Sequence, residues 1–234
     1  MKNYLSFGGG VNSVAMMLLL IDEFVDFEAV FVDHGTDWPE TYEYVNMFQA
    51  WLKKNNHRPI TVLKPNVQGY DNLYKYSWDK KIIPNMFRWC TDKFKIRPVV
   101  KYVDKPCFML IGFDFSERHR ARIHNNKKIE NRFPLIEEEM DRDACVHYIK
   151  SSGLPIPQKS GCYICPFQRN SDFRKMRMVS PDLFCSAEQL ENRAKAEHPN
   201  RYVGLKSKPL RLIINEDQRQ IFEQDEYPPC QCGL

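Results

Sequence analysis

Ser6-Phe7-Gly8-Gly9-Gly10-Val11-Asn12-Ser13 is the stretch on which the reading of this chain turns. It follows the apolar pair Tyr4-Leu5 and precedes Val14 to Ile21, an unbroken apolar run. That order spells a strand, a glycine loop and the first turn of a helix. Consecutive glycines permit positive φ and a close backbone approach, and the unpaired N–H groups of a helix N-terminus attract an anion. Two better-known loops are excluded. A Walker A loop ends in Gly-Lys-Ser/Thr, and a dinucleotide fingerprint has a third glycine where Ser13 stands. The candidate phosphate-binding residues are Ser6, Gly8, Gly9, Gly10, Asn12 and Ser13.

Downstream the pattern alternates. A helix is expected over residues 13–24, a strand over Glu28–Asp33, a helix from Pro39 through Lys54 and a strand over Ile60–Leu63. Proline in the first turn with Glu40 beside it is favourable helix-start chemistry. A βαβαβ order predicts a parallel sheet covered on both faces, with ligands bound outside the carboxyl ends of its strands where the strand order reverses. Asp33 stands at that edge and is a candidate contact for a nucleotide or its Mg²⁺, or else a turn-capping carboxylate.

Residues 66–87 are aromatic and basic without a clear period. A helix is expected over about Asp92–Val103, a buried strand over Cys107–Gly112, and a helix over Asp141–Ser152 closed by Gly153. Residues 181–197 read as helical, as do Asp217 to Glu226. The Cys107–Gly112 strand delivers Ser116-Glu117-Arg118-His119-Arg120-Ala121-Arg122. Arg118, Arg120 and Arg122 on alternate positions suit a phosphate clamp, because guanidinium binds phosphate oxygens bidentately; a solvated basic loop is the alternative. Two units are expected: residues 1–150, binding the nucleotide, and 151–234, a cysteine-bearing and mainly helical region packed on the first.

The 234 residues are enough for an enzyme, and the net charge of +4 is compatible with an anionic substrate without demanding nucleic acid. No apolar run reaches the length of a membrane span and no basic leader opens the chain, so a cytosolic protein with no membrane partner is expected. In that compartment eight cysteines are not a disulfide framework. Cys162-x-x-Cys165-Pro166 has metal-ligand spacing, and Cys90 with the Cys230-x-Cys232 pair can complete a set of four. Four thiolates suit either a [4Fe–4S] cluster or a structural zinc, and a redox dithiol is the non-metal alternative. Cys107 and Cys145 read as core.

Several separated segments resemble, in order, the PP-loop ATP pyrophosphatases and within them the phosphoadenosine-phosphosulfate (PAPS) reductase-like branch. They are Ser6–Ser13, Val32-Asp-His-Gly-Thr-Asp-Trp-Pro-Glu-Thr-Tyr42, Arg88-Trp-Cys-Thr91 with Lys95 and Pro98, Ser116–Arg120 and Ser160-Gly-Cys-Tyr-Ile-Cys-Pro-Phe167. The resemblance covers roughly residues 1–168. It implies an adenine-nucleotide α-hydrolase-like, Rossmann-type α/β sheet, ATP phosphates at Gly8–Ser13, and cluster ligands at Cys90, Cys162 and Cys165. The family's usual loop reads Ser-Gly-Gly-x-Asp-Ser; here Gly8 replaces the first serine and Asn12 the aspartate. Backbone phosphate binding survives that change, while the Mg²⁺-organising negative charge is reduced.

Two activities follow from the resemblance. One is that of the sulfur-inserting enzymes of DNA phosphorothioation: ATP adenylates a DNA backbone phosphate, pyrophosphate leaves, and sulfur supplied by a cysteine desulfurase and carried on a cysteine or cluster displaces AMP. The other is that of the sulfonucleotide reductases, whose terminal Glu-Cys-Gly-Leu/Ile-His is approached by Gln231-Cys232-Gly233-Leu234. Cys232 and Cys230 are therefore the candidate sulfur nucleophiles, Cys230 being also the candidate fourth ligand. Transfer of sulfur to tRNA and a non-catalytic nucleotide-binding metal module are further alternatives.

Overall fold

The computed structural model describes residues 1–121, 128–206 and 208–215. Five strands form one all-parallel sheet: β1 (Lys2–Ser6), β2 (Glu28–Val32), β3 (Thr61–Leu63), β4 (Cys107–Ile111) and β5 (Ile129–Arg132). Their order is β3-β2-β1-β4-β5. The expected α/β Rossmann-like class is thereby observed. The order reverses between β1 and β4, which run in register from Lys2 beside Cys107 to Ser6 beside Ile111.

Side chains alternate across the sheet, as the pleat requires. Leu5, Ala29, Phe31 and Leu110 face one core with α1 (Val11–Asp22), α2 (Pro39–Lys54) and Cys145 and Ile149 of a later helix. Tyr4, Val30, Val32, Met109 and Ile111 face the other, closed by Val99 and Val103. Helix α1 is apolar all round because it is buried all round: Ser13 through Leu20 are shielded without interruption.

The stretch without a clear period holds a short helix, α3 (Leu73–Asp79), capped by Asn72. The helix expected from Asp92 begins earlier, as α4 (Trp89–Thr91), widens into a π segment (Asp92–Ile96) and continues as α5 (Arg97–Tyr102). After α6 (Pro134–Glu137), helix α7 (Arg142–Ser151) is capped by Asp141 and stopped at Gly153, whose φ is +70°. Helix α8 (Asn170–Val179) was not expected. Helix α9 (Pro181–Glu197) matches the expected span, and α10 (Leu210–Asn215) ends the described chain. The helix read over Asp217–Glu226 lies outside the described residues. A third apolar cluster joins α3 and Phe94 to Tyr163, Ile164 and helices α8 to α10. No helix among the described residues is long and apolar enough to cross a membrane.

Candidate functional site

The carboxyl ends of β1, β2 and β4 open on a cavity of about 730 Å³. The glycine loop forms its floor, and its glycines differ in what surrounds them. Gly9 has φ +70°, and a Cβ there would lie 2.9 Å from the Thr41 methyl. A Cβ on Gly10 would meet the Ser160 hydroxyl at 2.7 Å, whereas at Gly8 it would meet nothing within 4 Å. Gly8 is thus the open point of the loop. No side chain caps the first turn of α1 and no acidic residue stands in it, so its N–H groups keep their attraction for an anion.

On the β4 side, Gly112 lets the backbone come close to α1: a Cβ there would be 3.3 Å from the Asn12 carbonyl. Asn12 is held on every polar atom. Its Nδ2 donates to Asp114 Oδ2 at 3.0 Å and to Glu117 Oε2 at 3.2 Å, while Arg142 donates to its Oδ1 at 2.7 Å. Arg120 is paired with Glu117 and lies 4.2 Å above the Phe113 ring. Its side chain is only 6% exposed, yet Nε has no partner among the described residues, leaving a buried donor on a residue of the cavity wall. Burial pushes the Glu117 carboxyl up, against the opposing pull of Arg120. Thr91, Lys95 and Ile96 enter the wall from the π segment and its flank, a kind of helix irregularity common at functional sites.

The β2 exit is pinned to the cysteine loop. Asp37 and Cys162 form an isolated antiparallel bridge, Trp38 N–H donates to the Gly161 carbonyl at 3.0 Å, and Tyr163 N–H donates to the Thr36 carbonyl at 2.9 Å. Those bonds set Cys162 Sγ 3.6 Å from His34 Nε2, and Asp37 Oδ2 lies 3.3 Å from the same nitrogen. His34 Nδ1 is matched by the Thr36 hydroxyl at 2.8 Å. Burial alone would lower the His34 pKa; the Cys162 sulfur and the Asp37 carboxylate reverse this and bring it up to about 10. Asp37 would be raised by burial, but His34 and Lys95 hold it near 2.

Of the residues singled out from sequence, Ser6, Gly8, Gly10, Asn12, Ser13 and Arg120 line the cavity. Gly9 instead faces α2, and Arg118 turns its guanidinium over the Phe115 ring. Asp33 caps the β2 turn rather than the cavity: it accepts from Gly35 N–H at 2.9 Å and the Tyr42 hydroxyl at 3.0 Å, and pairs with Lys64 at 2.6 Å. Cys162 and Cys165 share a turn closed by Cys165 N–H to the Cys162 carbonyl at 3.1 Å, and Cys90 packs against the same apolar cluster as Cys162. Arg122, Cys230 and Cys232 lie outside the described residues.

Sequence reading passed over Asp37, Asp114, Glu117, Arg142, Lys159 and Ser160 as cavity residues, and His34 as their neighbour. Lys159 and Ser160 directly precede the cysteine motif, and His34-x-x-Asp37 follows the β2 strand, so a local signal existed. Carboxylates at Asp114 and Glu117 suit a hard cation such as Mg²⁺ beside phosphates. Zinc accepts the thiolate, imidazole and carboxylate that converge at Cys162, and iron–sulfur clusters take thiolates such as Cys90, Cys162 and Cys165.

The family model described as phosphoadenosine phosphosulfate reductase domain matches residues 2–158. Among curated proteins, the uncharacterized protein MJ0973 of Methanocaldococcus jannaschii is 24% identical over 204 residues, covering 78% of this chain and 46% of its own length. The uncharacterized protein MJ0066 of the same organism is 23% identical over 227 residues, covering 88% of this chain and 44% of its own. The chain therefore spans under half the length of these relatives. Among solved structures, the phosphoadenylyl-sulfate reductase of Candida auris, a phosphate complex, superposes with a TM-score of 0.50 at 16% identity. The match covers 69% of this chain and 81% of that one and speaks to the fold.

Proposed function

Because the chain belongs to the phosphoadenosine phosphosulfate reductase domain family, whose members carry out nucleotide-related sulfur chemistry, we propose that it is an ATP pyrophosphatase of sulfur transfer. In this reading ATP sits at the carboxyl ends of β1 and β4 and adenylates an anionic acceptor, a DNA backbone phosphate. The acceptor oxygen attacks the α-phosphorus and the bond to pyrophosphate breaks. A persulfide on one of Cys230 and Cys232 then attacks the activated phosphorus through its outer sulfur, and AMP leaves with the oxygen. The other thiol attacks the cysteine sulfur of the resulting disulfide, which breaks the S–S bond, releases the phosphorothioate and leaves a Cys230–Cys232 disulfide for an external thiol to reduce. A cysteine desulfurase supplies the sulfur, and Cys230 and Cys232 are the thiols to carry it.

The observation that carries this reading is that Arg120 and the first turn of α1, which no side chain caps among the described residues, line one cavity. Two donor sets fixed in advance around one cavity are suited to stabilising charge on a departing pyrophosphate. Lys95, Lys159 and Arg142 add cations to the same wall. Asp114 and Glu117 are the oxygens that would hold Mg²⁺, which shields phosphate charge when bound.

A second reading, thiol-dependent reduction of a sulfonucleotide by Cys232, takes the same cavity and is favoured by the description of the family model. One pair of assays separates the two. The protein, purified without oxygen, is given ATP with duplex DNA, or PAPS with a thiol reductant. Pyrophosphate release that requires DNA supports sulfur transfer; sulfite release without ATP supports reduction and overturns the first reading.

A further inference from the structure

We propose that His34, Asp37 and Cys162 form a three-ligand site for a zinc-class divalent ion. This deepens the metal reading of Cys162 by adding an imidazole and a carboxylate that cysteine spacing does not reveal. The ligand atoms of the three residues lie within 4.8 Å of one another. Tetrahedral zinc with bonds of about 2.0–2.1 Å to N and O and about 2.3 Å to S requires N···O and N···S edges of roughly 3.4 and 3.6 Å. The observed His34–Asp37 and His34–Cys162 separations are 3.3 and 3.6 Å. Both edges at His34 match before any ion is added.

The alternative for these three residue types is a hydrogen-bonded Cys-His-Asp catalytic array. Such an array uses both ring nitrogens, one toward the nucleophile and the other toward the carboxylate. Here Cys162 and Asp37 both face Nε2, and the Thr36 hydroxyl holds Nδ1 at 2.8 Å. Two acceptors converging on one nitrogen, with the opposite nitrogen fixed by an outer partner, is how a metal-binding histidine is set. Charge agrees. A carboxylate and a thiolate carry two negative charges, which one divalent ion neutralises in a site where His34 and Asp37 are 0% and 4% exposed at the side chain. Lys95 approaches Asp37 at 3.9 Å on Oδ1, the oxygen turned away from His34, and leaves Oδ2 to the ion.

The test uses the full chain, reduced and stripped with a chelator, without nucleotide. Cobalt(II) is titrated as a spectroscopic probe and then displaced by zinc. One ion per chain is expected, with tetrahedral d–d bands and a thiolate-to-cobalt charge-transfer band that Cys162→Ser removes. His34→Gln and Asp37→Asn are expected to weaken zinc binding by more than about tenfold, the scale already seen for outer-sphere partners. Circular dichroism of each metal-free variant is recorded first, and the isosteric Asp37→Asn carries the test if His34→Gln does not fold. Unchanged zinc affinity in Asp37→Asn, or binding lost only in Cys90→Ser and Cys165→Ser, overturns the proposal. Because no nucleotide takes part, such a failure leaves the pyrophosphatase reading untouched.

Discussion

Asn12 Nδ2 donates to Asp114 Oδ2 at 3.0 Å, so a single amide ties the first turn of α1 to the exit of β4. Only an amide can serve there, because Asn12 donates to two carboxylates while accepting from Arg142. Asn12→Asp replaces both donations by repulsion. The loss is about 1–3 kcal/mol, which in a chain of this length lowers Tm by roughly 2–4 °C per kcal/mol. Thermal melts at neutral pH check this, and adding Glu117→Gln recovers part of the loss.

The glycines separate folding from binding. Gly9→Ala strains a backbone at φ +70° and presses on Thr41, and is expected to destabilise by about 1–3 kcal/mol. Gly8→Ala meets open space, so Tm holds while ATP affinity falls, because the added methyl occupies the cavity. Calorimetric titration beside melting curves reads both.

Arg120→Met removes the buried donor and leaves Glu117 without its ion-pair partner, costing both stability and nucleotide affinity. The double variant with Glu117→Gln is expected to regain stability while ATP binding stays at least about tenfold weaker than in Glu117→Gln alone, as loss of a charged hydrogen bond implies. Binding in the double variant equal to that of Glu117→Gln alone would show that Arg120 acts only through Glu117.

Thiol reactivity should divide the described cysteines. Burial pushes the Cys145 thiol up to about 12 and raises that of Cys107 as well, whereas Cys185 is exposed. Brief iodoacetamide treatment of the native protein at pH 8, read by peptide mass spectrometry, is expected to label Cys185 and spare Cys107 and Cys145.

Asp33 should leave a pH signature in stability. Burial would raise its carboxyl, but Lys64, Gly35 and Tyr42 hold it below the ordinary range. A carboxyl depressed by folding contributes fully above its unfolded value, about 3.9, and the contribution fades as pH falls through the folded value. Asp33→Asn is therefore expected to melt lower than the parent at pH 7, with the gap closing below about pH 3. A constant gap would assign the effect to geometry rather than charge.

The parts of the fold that could be read locally were those with strong periodicity and punctuation. Pro39 to Lys54 is the helix that its proline, Glu40 and terminal lysines describe. Strand β5 escaped notice because only Ile129 of its four residues is buried, and α8 because only Phe173 and Met176 are. In α3 the buried side chains include Tyr76 and Ser77, so no apolar stripe marks it. The site divides in the same way. A glycine loop announces itself within eight residues, but His34 reaches Cys162 across 128 positions, through backbone bridges that no local pattern encodes.

Helix α1, shielded from Ser13 to Leu20, cannot shift without opening the core that covers it. Its first turn is a fixed post, and a phosphate docking there spends no entropy on ordering it. Any adjustment to a bound molecule then falls to the short turn from Phe115 to Arg120 and to Lys159 and Ser160, which enter from outside the sheet. The architecture thereby joins a rigid anion-attracting end to a rim built from short segments.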